Sequence, residues 1–359
     1  MNETILNTRL HNQGLTTRRF KNIKDAVFNL GAVQSQDFPS ALWALSQRIE
    51  TVPNEKSLLE SFNNGDILRT HALRPTWHFV SPKDIRWIVA LNAPRVKPVM
   101  EYYNKKINLS IDDLKKGQHL LEKLLRDKHY LTRDEIVPHL KESGIKTNSM
   151  GYGHVMIWAE LDGVICSGPK IGNKFTYALL GERAPKAKQV PEDESLAELA
   201  HRYFSSHGPA QIKDFTWWSG LSATQVKMAM EMNKNRLYSE KIEKKIYWFT
   251  SELSEEVPVL TAYLLPNYDE FTIAYKDRSL FLPETSTKLD ARNNIIFNHS
   301  ILINGHIVGG WRRELKRDSV NVTITLFKKL NDSEDKALQD VLAKYTSFLE
   351  MKLGEVVYL

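Results

Sequence analysis

The sequence predicts an α+β chain of repeated helix-turn-helix units followed by a β-rich final third. Two observations predict it. The order helix, tight turn, helix, hairpin is that of a winged helix; it occurs at 192–250, again at 130–180, and more loosely in the first hundred residues. From about residue 255 the pattern changes to alternating apolar residues and turn signals, which mark a small antiparallel sheet or barrel.

In the first unit, IKDAVFNLGAVQ and SALWALSQRI read as helices, and DILRTHAL and PTWHFV as strands. Helices around 82–127 bridge it to the second unit, giving a first domain over 1–127. The second spans 128–185. Thr132 and Glu135 form a capping box before EIVPHLKESG, a helix around GHVMIWAELDG follows, and VICSG and KFTYALL make a hairpin whose turn holds Gly168, Pro169 and Gly172. The segment 183–194, RAPKAKQVPEDE, is the clearest linker. The third unit spans 192–254. There EDESLAELAHRYFSSHG is an amphipathic helix ended by Gly208, and a second helix runs from Pro209 to Gly220. A third carries the capping box Ser222 and Gln225, before two short strands in RLYSEKIEKKIYWFT.

The final domain, 255–359, contains PVLTAYLLPNYDEFTIAYKDR, NIIFNHSILINGHIVGGWRRELK and SVNVTITLFKKL as its strand-bearing segments. A last helix over about 333–353 aligns Leu338, Leu342, Tyr345 and Leu349 on one stripe.

Composition narrows the class. With 42% apolar and 26% charged residues in 359, the chain is globular and large enough for several cores. No stretch of apolar residues is long enough for a membrane span, and the N-terminus MNETILNTRLHNQG lacks a signal peptide. The single cysteine, Cys166, excludes an internal disulfide and a cysteine-built zinc site, as expected for a cytoplasmic protein. The net charge of +6 leans toward polyanionic partners, and the basic residues are dispersed, so DNA would be held by a folded groove.

Five segments together carry a resemblance: LGAVQSQDFPSALWAL, LRTHALRPTWHFV, AELAHRYFSSHGPAQIKDFTWWSGLS, LLPNYDEF and INGHIVGGWRREL. In this order, over essentially the whole chain, they resemble the bacterial winged-helix family that includes the AlkZ-like and YcaQ-like interstrand-crosslink DNA glycosylases. The resemblance implies three tandem winged helices around a C-terminal antiparallel β-barrel, and excision of bulky or cationic alkylpurines. It also implies a catalytic pair of glutamines flanking one residue, usually aliphatic, in the AlkZ-like branch; the YcaQ-like branch has aspartate second. Gln34-Ser35-Gln36 lies nearer the AlkZ-like branch, with Ser35 departing from the aliphatic middle.

Two amides suit this chemistry. A purine alkylated on a ring nitrogen is already cationic and leaves without a general acid. What remains is to stabilise an oxocarbenium-like sugar and to place water against it; carbonyl dipoles can do both. Gln34 and Gln36 can leave the backbone on the same side only if the helix breaks between them. Pro39 disfavours helix at Phe38, and Asp37 can cap the next helix. Helix-end polar residues would be the ordinary reading of the two glutamines without the resemblance.

Arg69, His71, Arg74, Thr76 and His78 stand at near-alternate spacing and form a candidate face contacting sugar or phosphate; satisfied core-edge histidines are the plainer alternative. Trp311, Arg312 and Arg313 follow Gly309 and Gly310 and suit stacking plus phosphate contact, against a core tryptophan with solvated arginines. Trp217 and Trp218 read as core. His71 and His78 lack metal-ligand spacing, so no metal and no cofactor are expected. No lysine adjoins the glutamine pair, so the expected product is an abasic site, made by a monomer acting on double-stranded DNA with alkylated bases. Rival readings are a non-catalytic winged-helix regulator and a protein that sequesters a genotoxin without hydrolysis.

Overall fold

The structure is a computed structural model and describes residues 2–16, 20–251, 253, 260–282 and 299–359. It opens with a helix the sequence reading did not assign, α1 (Asn2–Asn12), which buries Ile5, Leu6 and Leu10. Then α2 (Ile23–Leu30) starts at Asn22, whose side chain accepts the Asp25 N–H, and stops at Gly31 with φ 81°. That left-handed turn is open to glycine at little cost, and it ends the helix earlier than expected. The next residues form β1 (Ala32–Gln34), so AVQ is strand and not helix. Asp37 accepts the Ser40 N–H and starts α3 (Phe38–Ser46), with Pro39 in its first turn, where a missing N–H costs nothing. After α4 (Glu55–Asn64) come β2 (Leu68–His71) and β3 (Trp77–Val80). The three strands form one antiparallel sheet in the order β1–β3–β2.

Two helices, α5 (Ile85–Lys106) and α6 (Ile111–Leu124), lead to the second unit. It comprises β4 (Leu131–Thr132), α7 (Arg133–Glu142), α8 (Ser149–Leu161), β5 (Ile165–Ser167), β6 (Thr176–Leu179) and α9 (Leu180–Arg183). Thr132 and Glu135 exchange both capping-box bonds, and β5 and β6 pair antiparallel. The third unit has α10 (Glu192–Ser206), α11 (Ile212–Ser219), α12 (Ala223–Met232), β7 (Tyr238–Ile242) and β8 (Lys245–Phe249). Gly220 ends α11 at φ 70°, and the Ser222–Gln225 box starts α12.

The final third contains β9 (Ala262–Leu265), α13 (Glu270–Ile273), β10 (Ser300–Ile303), β11 (His306–Leu315), β12 (Ser319–Leu326), α14 (Asp332–Leu349) and β13 (Lys352–Tyr358). Residues 258–259 and 294–298 of the expected strand segments lie outside the described residues. The described strands form an open sheet ordered β13–β12–β11–β10–β9, in place of the expected antiparallel barrel. The reason is β13, which pairs parallel to β12. A parallel pair needs a crossover, and α14 supplies it. Its stripe of Leu338, Leu342 and Tyr345 is fully buried.

The first unit and the final sheet share one core. Phe38, Trp43, Phe62 and Phe79 pack with Leu264, Ile301, Trp311, Ile324 and Tyr345. Two indoles fix the edge strand β9: Trp43 Nε1 donates to the Leu264 carbonyl at 2.6 Å and Trp311 Nε1 to the Leu265 carbonyl at 3.0 Å. At the far end of α3, Arg48 holds Asp269 through two charge-assisted bonds of 2.7 and 2.9 Å, both groups fully buried. This bidentate pair fixes the turn that opens α13, and with it the neighbouring Glu270.

Candidate active site

Gln34 ends β1, the chain bends at Gln36 and Asp37, and Asp37 caps α3. The break between the glutamines is therefore present. Gln34 is buried and Gln36 is exposed, so the triplet runs from interior to surface. The turn is held along its length. The Gln34 N–H donates to Glu270 Oε1 at 2.8 Å, and the Ser35 N–H to the Trp77 carbonyl at 2.8 Å. The Ser35 carbonyl accepts from Arg69 Nε and Nη2 at 3.2 and 3.0 Å. Both carboxamide oxygens are oriented as well. Gln34 Oε1 accepts from Arg74 Nη2 at 3.0 Å, and Gln36 Oε1 accepts weakly from the Trp77 N–H at 3.4 Å. A carbonyl oxygen has two lone pairs, so each keeps one for a further partner.

The sheet register sorts the other candidates onto two faces. Gln34 pairs with His78 and His78 with Thr70, which places these three in one cross-strand row. Arg69 and His71 belong to the opposite face, with Phe79 and Trp77 as their partners. The expectation of one shared face is thus corrected, because alternate positions on β2 and β3 fall in opposite registers. Arg69 lies over the Trp77 ring at 4.1 Å and over Phe175 at 4.7 Å, a structural stack beneath Ser35. Burial lowers its pKa to about 10, partly opposed by the charge of Glu160, so it stays cationic at neutral pH. His71 Nδ1 pairs with the buried Glu160 and its ring packs on Trp77.

His78 is buried, and its Nδ1–H donates to the Thr76 carbonyl at 2.9 Å. Burial, followed by the Arg74 charge, pushes its pKa down to about 3, so the ring is a neutral imidazole beside Gln34. Thr76 itself donates to the Leu73 carbonyl in the β2–β3 turn. Arg74 occupies that turn with φ 55°, and its guanidinium lies 5.9 Å from the Trp217 ring as well as on Gln34.

Trp311 does not face outward. It is 3% exposed and packs edge-on against Tyr345 with ring centres 5.1 Å apart, so the expectation that it stacks on a nucleic acid is corrected. Alternation along β11 turns Arg312 outward, while Arg313 is half-buried and donates to the Tyr345 hydroxyl. Trp218 is core as expected; Trp217 is half-buried, and its Nε1 donates to the Ile273 carbonyl at 2.9 Å.

The sequence reading missed Glu270. Its carboxylate is 2% exposed and takes three contacts: the Gln34 N–H, Trp218 Nε1 at 3.0 Å, and His207 Nε2 at 3.4 Å. His207 closes α10 and stacks on Tyr203. Burial alone would raise the Glu270 pKa, but His207 and the Gln34 N–H together bring it below the ordinary carboxylate range. The available signal was a lone carboxylate pair, Asp269-Glu270, inside the mostly apolar run LLPNYDEFTIAY. Among the described residues, no group of three His, Cys, Asp or Glu is placed to hold a metal ion. Likewise, no described helix is long and apolar enough to cross a membrane.

With this geometry in place, comparison with known proteins is informative. The family model described as DNA glycosylase AlkZ-like matches residues 27–348. A curated relative from Streptomyces sahachiroi, an interstrand DNA cross-link repair glycosylase, is 24% identical over 326 residues, covering 84% of this chain and 85% of its own. The solved structure of the Streptomyces sahachiroi DNA glycosylase AlkZ superposes with a TM-score of 0.83 at 20% identity, over 99% of both chains. That likeness speaks for the shared mixed α+β fold.

Proposed function

The chain belongs to the AlkZ-like DNA glycosylase family, and from that premise we propose that it excises cationic alkylated purines through Gln34 and Gln36, leaving an abasic site. As a DNA glycosylase it hydrolyses N-glycosidic bonds in DNA repair. The finer reading rests chiefly on one observation: two carboxamides sit on a turn fixed by Glu270, Arg69, Arg74 and Trp77. Preorganised dipoles cost no reorientation when charge develops.

In this reading the bond from the sugar C1′ to the base nitrogen breaks first. Its electron pair returns to the cationic base, which departs neutral. The carboxamide oxygens face the positive sugar and hold a water whose oxygen then bonds to C1′. That water's surplus proton passes to solvent, since neither amide nor the neutral His78 is a strong base. A neutral pair gives modest acceleration, which restricts the enzyme to good leaving groups. Arg74 supports the pair by fixing Gln34, and outward cations such as Arg312 contribute phosphate contacts. The three helix–helix–hairpin units are read as winged helices within the domains 1–127, 128–185 and 192–254, and the protein as a cytoplasmic monomer. Crosslinks joining two such bases are substrates of the same chemistry.

The deciding experiment incubates the protein with duplex DNA carrying a ring-nitrogen-methylated guanine. Free base and an alkali-labile abasic site are expected. Tight binding without base release would favour a DNA-binding protein that carries out no chemistry on this lesion.

A further inference from the structure

The β5–β6 hairpin of the second unit is joined to the glutamine turn of the first. Phe175, just before β6, packs edge-on against Phe38 with ring centres 5.1 Å apart, and Phe38 stands two residues after Gln36. Arg69 bridges the two elements: it donates to the Ser35 carbonyl and lies 4.7 Å from the Phe175 ring. Lys170, on the other limb of the hairpin, covers the same pair of rings, with Nζ 5.3 Å from Phe38 and 5.1 Å from Phe175. Its N–H donates to Asn63 Oδ1 at 2.8 Å. The hairpin is therefore fixed against the turn that carries Gln36.

Beyond Lys170 the tip is tight and bare. Ile171 and Lys174 exchange two backbone hydrogen bonds, of 3.0 and 3.1 Å, around the two-residue loop Gly172-Asn173. Gly172 takes φ 57°, as the first position of such a hairpin loop requires. A Cβ there would meet nothing within 4 Å, so the tip stands clear of the rest of the protein. Ile171 is 58% exposed, between the half-buried Lys170 and the exposed Lys174. Lys174 pairs with Asp134 at 3.3 Å, but both side chains are mostly in water, where such a pair is weak. A single exposed apolar residue is ordinary on a protein surface. An isoleucine at the point of a rigid tip, between two cations and beside the glutamine turn, is a shaped feature.

We propose that Ile171 is a wedge: it enters the base stack beside the alkylated base while Lys174 and Lys170 bind flanking phosphates. The inference rests on the placement of the reaction at Gln34 and Gln36. An enzyme that acts on a base within a duplex must draw it out of the stack, and the unpaired step left behind costs stacking and pairing energy. Apolar side chains inserted at a base step offset that cost by occupying the gap. Isoleucine suits the task, since its β-branched side chain is stiff at χ1 and loses little freedom on insertion. The cations on either side suit the phosphates that border such a step. Ile171 is in this reading a positioning residue, which presents the sugar to the glutamines and takes no part in breaking the bond.

The test uses two duplexes carrying a ring-nitrogen-methylated guanine, one opposite cytosine and one opposite a baseless site, where extrusion is already easy. Ile171→Ala should slow single-turnover release about tenfold from the paired duplex. Release from the duplex with the baseless site should stay within about twofold of the wild type. Ile171→Leu should restore the paired rate. The side chain is exposed, so both variants should melt as the wild type does. Unstacking is read separately from chemistry, with 2-aminopurine placed next to the lesion on a fluorinated, uncleavable sugar. Its fluorescence should rise on binding the wild type and Gln36→Ala, and stay quenched with Ile171→Ala. Lys174→Gln should lower the log–log salt slope of binding by about 0.9. No fluorescence rise with the wild type, or a rise that survives in Ile171→Ala, overturns the proposal. So does an equal slowing on both duplexes, which would make the tip a general contact, or a salt slope unmoved in Lys174→Gln. Concentration-dependent self-association lost in Ile171→Ala would assign the tip to a second copy instead. A wild type that unstacks the probe through Ile171 yet releases no base sustains the wedge and overturns the glutamine mechanism. Equal release by the wild type and Ile171→Ala, with Gln36→Ala slowed, does the reverse.

Discussion

The carboxylate of Glu270 accepts the backbone N–H of Gln34 at 2.8 Å, across 236 residues of chain, from a position 2% exposed to solvent. The same carboxylate holds Trp218 and faces His207, so one buried charge ties the third unit, the final third and the end of β1 together. We predict that Glu270→Gln destabilises the fold by about 3 kcal/mol, because an amide NH₂ must then face a donor or lose its solvation. Because Glu270 titrates below its ordinary value, it stabilises the fold above the unfolded carboxylate range, and that contribution disappears as pH falls through the folded value. Chemical denaturation at neutral pH and near pH ~4 checks this: the variant should lose less stability on acidification than the wild type. An acid limb identical in both would remove Glu270 from this role.

The glutamine pair is expected to act on the reaction and not on folding. Gln34→Ala and Gln36→Ala should each slow single-turnover base release about 10- to 1000-fold, or ~1.4–4 kcal/mol, with DNA binding largely kept. Gln36 is exposed, so its variant should also leave the melting temperature unchanged. Wild-type release rates in both variants would place the chemistry elsewhere.

His78 gives a separate acid signature. Its folded pKa of about 3 lies below the ordinary histidine value, so the unfolded chain takes up a proton first as pH falls. Stability conferred by the neutral ring is complete above pH ~6.5 and is lost toward pH 3, at up to ~1.4 kcal/mol per pH unit. Between pH ~6.5 and ~5 carboxylates contribute little, so the slope there comes from histidines lowered by burial, His78 together with His299, His154 and His201. His78→Phe should reduce the slope of the stability profile in that interval; a slope equal to that of the wild type would show that the ring titrates in the fold as it does in the unfolded chain.

What the sequence revealed and what it hid follow the range of the interaction. The capping boxes Thr132–Glu135 and Ser222–Gln225, and the cap at Asp37, were legible because each closes within three residues. The end of α2 was misplaced although Gly31 marked it, since the apolar run continues into β1. The last strand, β13, was missed because its partner β12 lies beyond a whole helix, and most of its own residues are exposed. Of the candidate site, the two glutamines were found through the resemblance. Glu270 was not, since nothing near it in sequence reports a contact with Gln34. Trp311 was misjudged although the alternation of β11 held the answer.

That alternation yields a direct comparison. Trp311→Ala should cost ~3–5 kcal/mol of stability, as expected for a buried ring packed against Tyr345 and His299. Arg312→Ala should leave stability unchanged and lower the log–log salt slope of DNA binding by about 0.9 if it neutralises a phosphate. Thermal melts and salt titrations on both variants separate the roles. A Trp311→Ala protein of wild-type stability would restore the outward reading of that ring.

Arg74 distinguishes a phosphate contact from a positioning role. Its guanidinium is committed to Gln34 Oε1 at 3.0 Å and lies near Trp217, and burial lowers its pKa while the Glu270 charge opposes that shift. A side chain so engaged should orient the amide and leave phosphate binding to outward cations. We predict that Arg74→Met, which keeps the stem and removes the donors, slows release of methylated base about tenfold. The salt slope of binding should stay as in the wild type, because no counterion-releasing contact has been removed. Gln34→Ala already removes the group that Arg74 positions, so the double variant should be no slower than Gln34→Ala alone. A slope reduced by about 0.9, with rates that multiply in the double variant, would assign Arg74 to the DNA backbone instead.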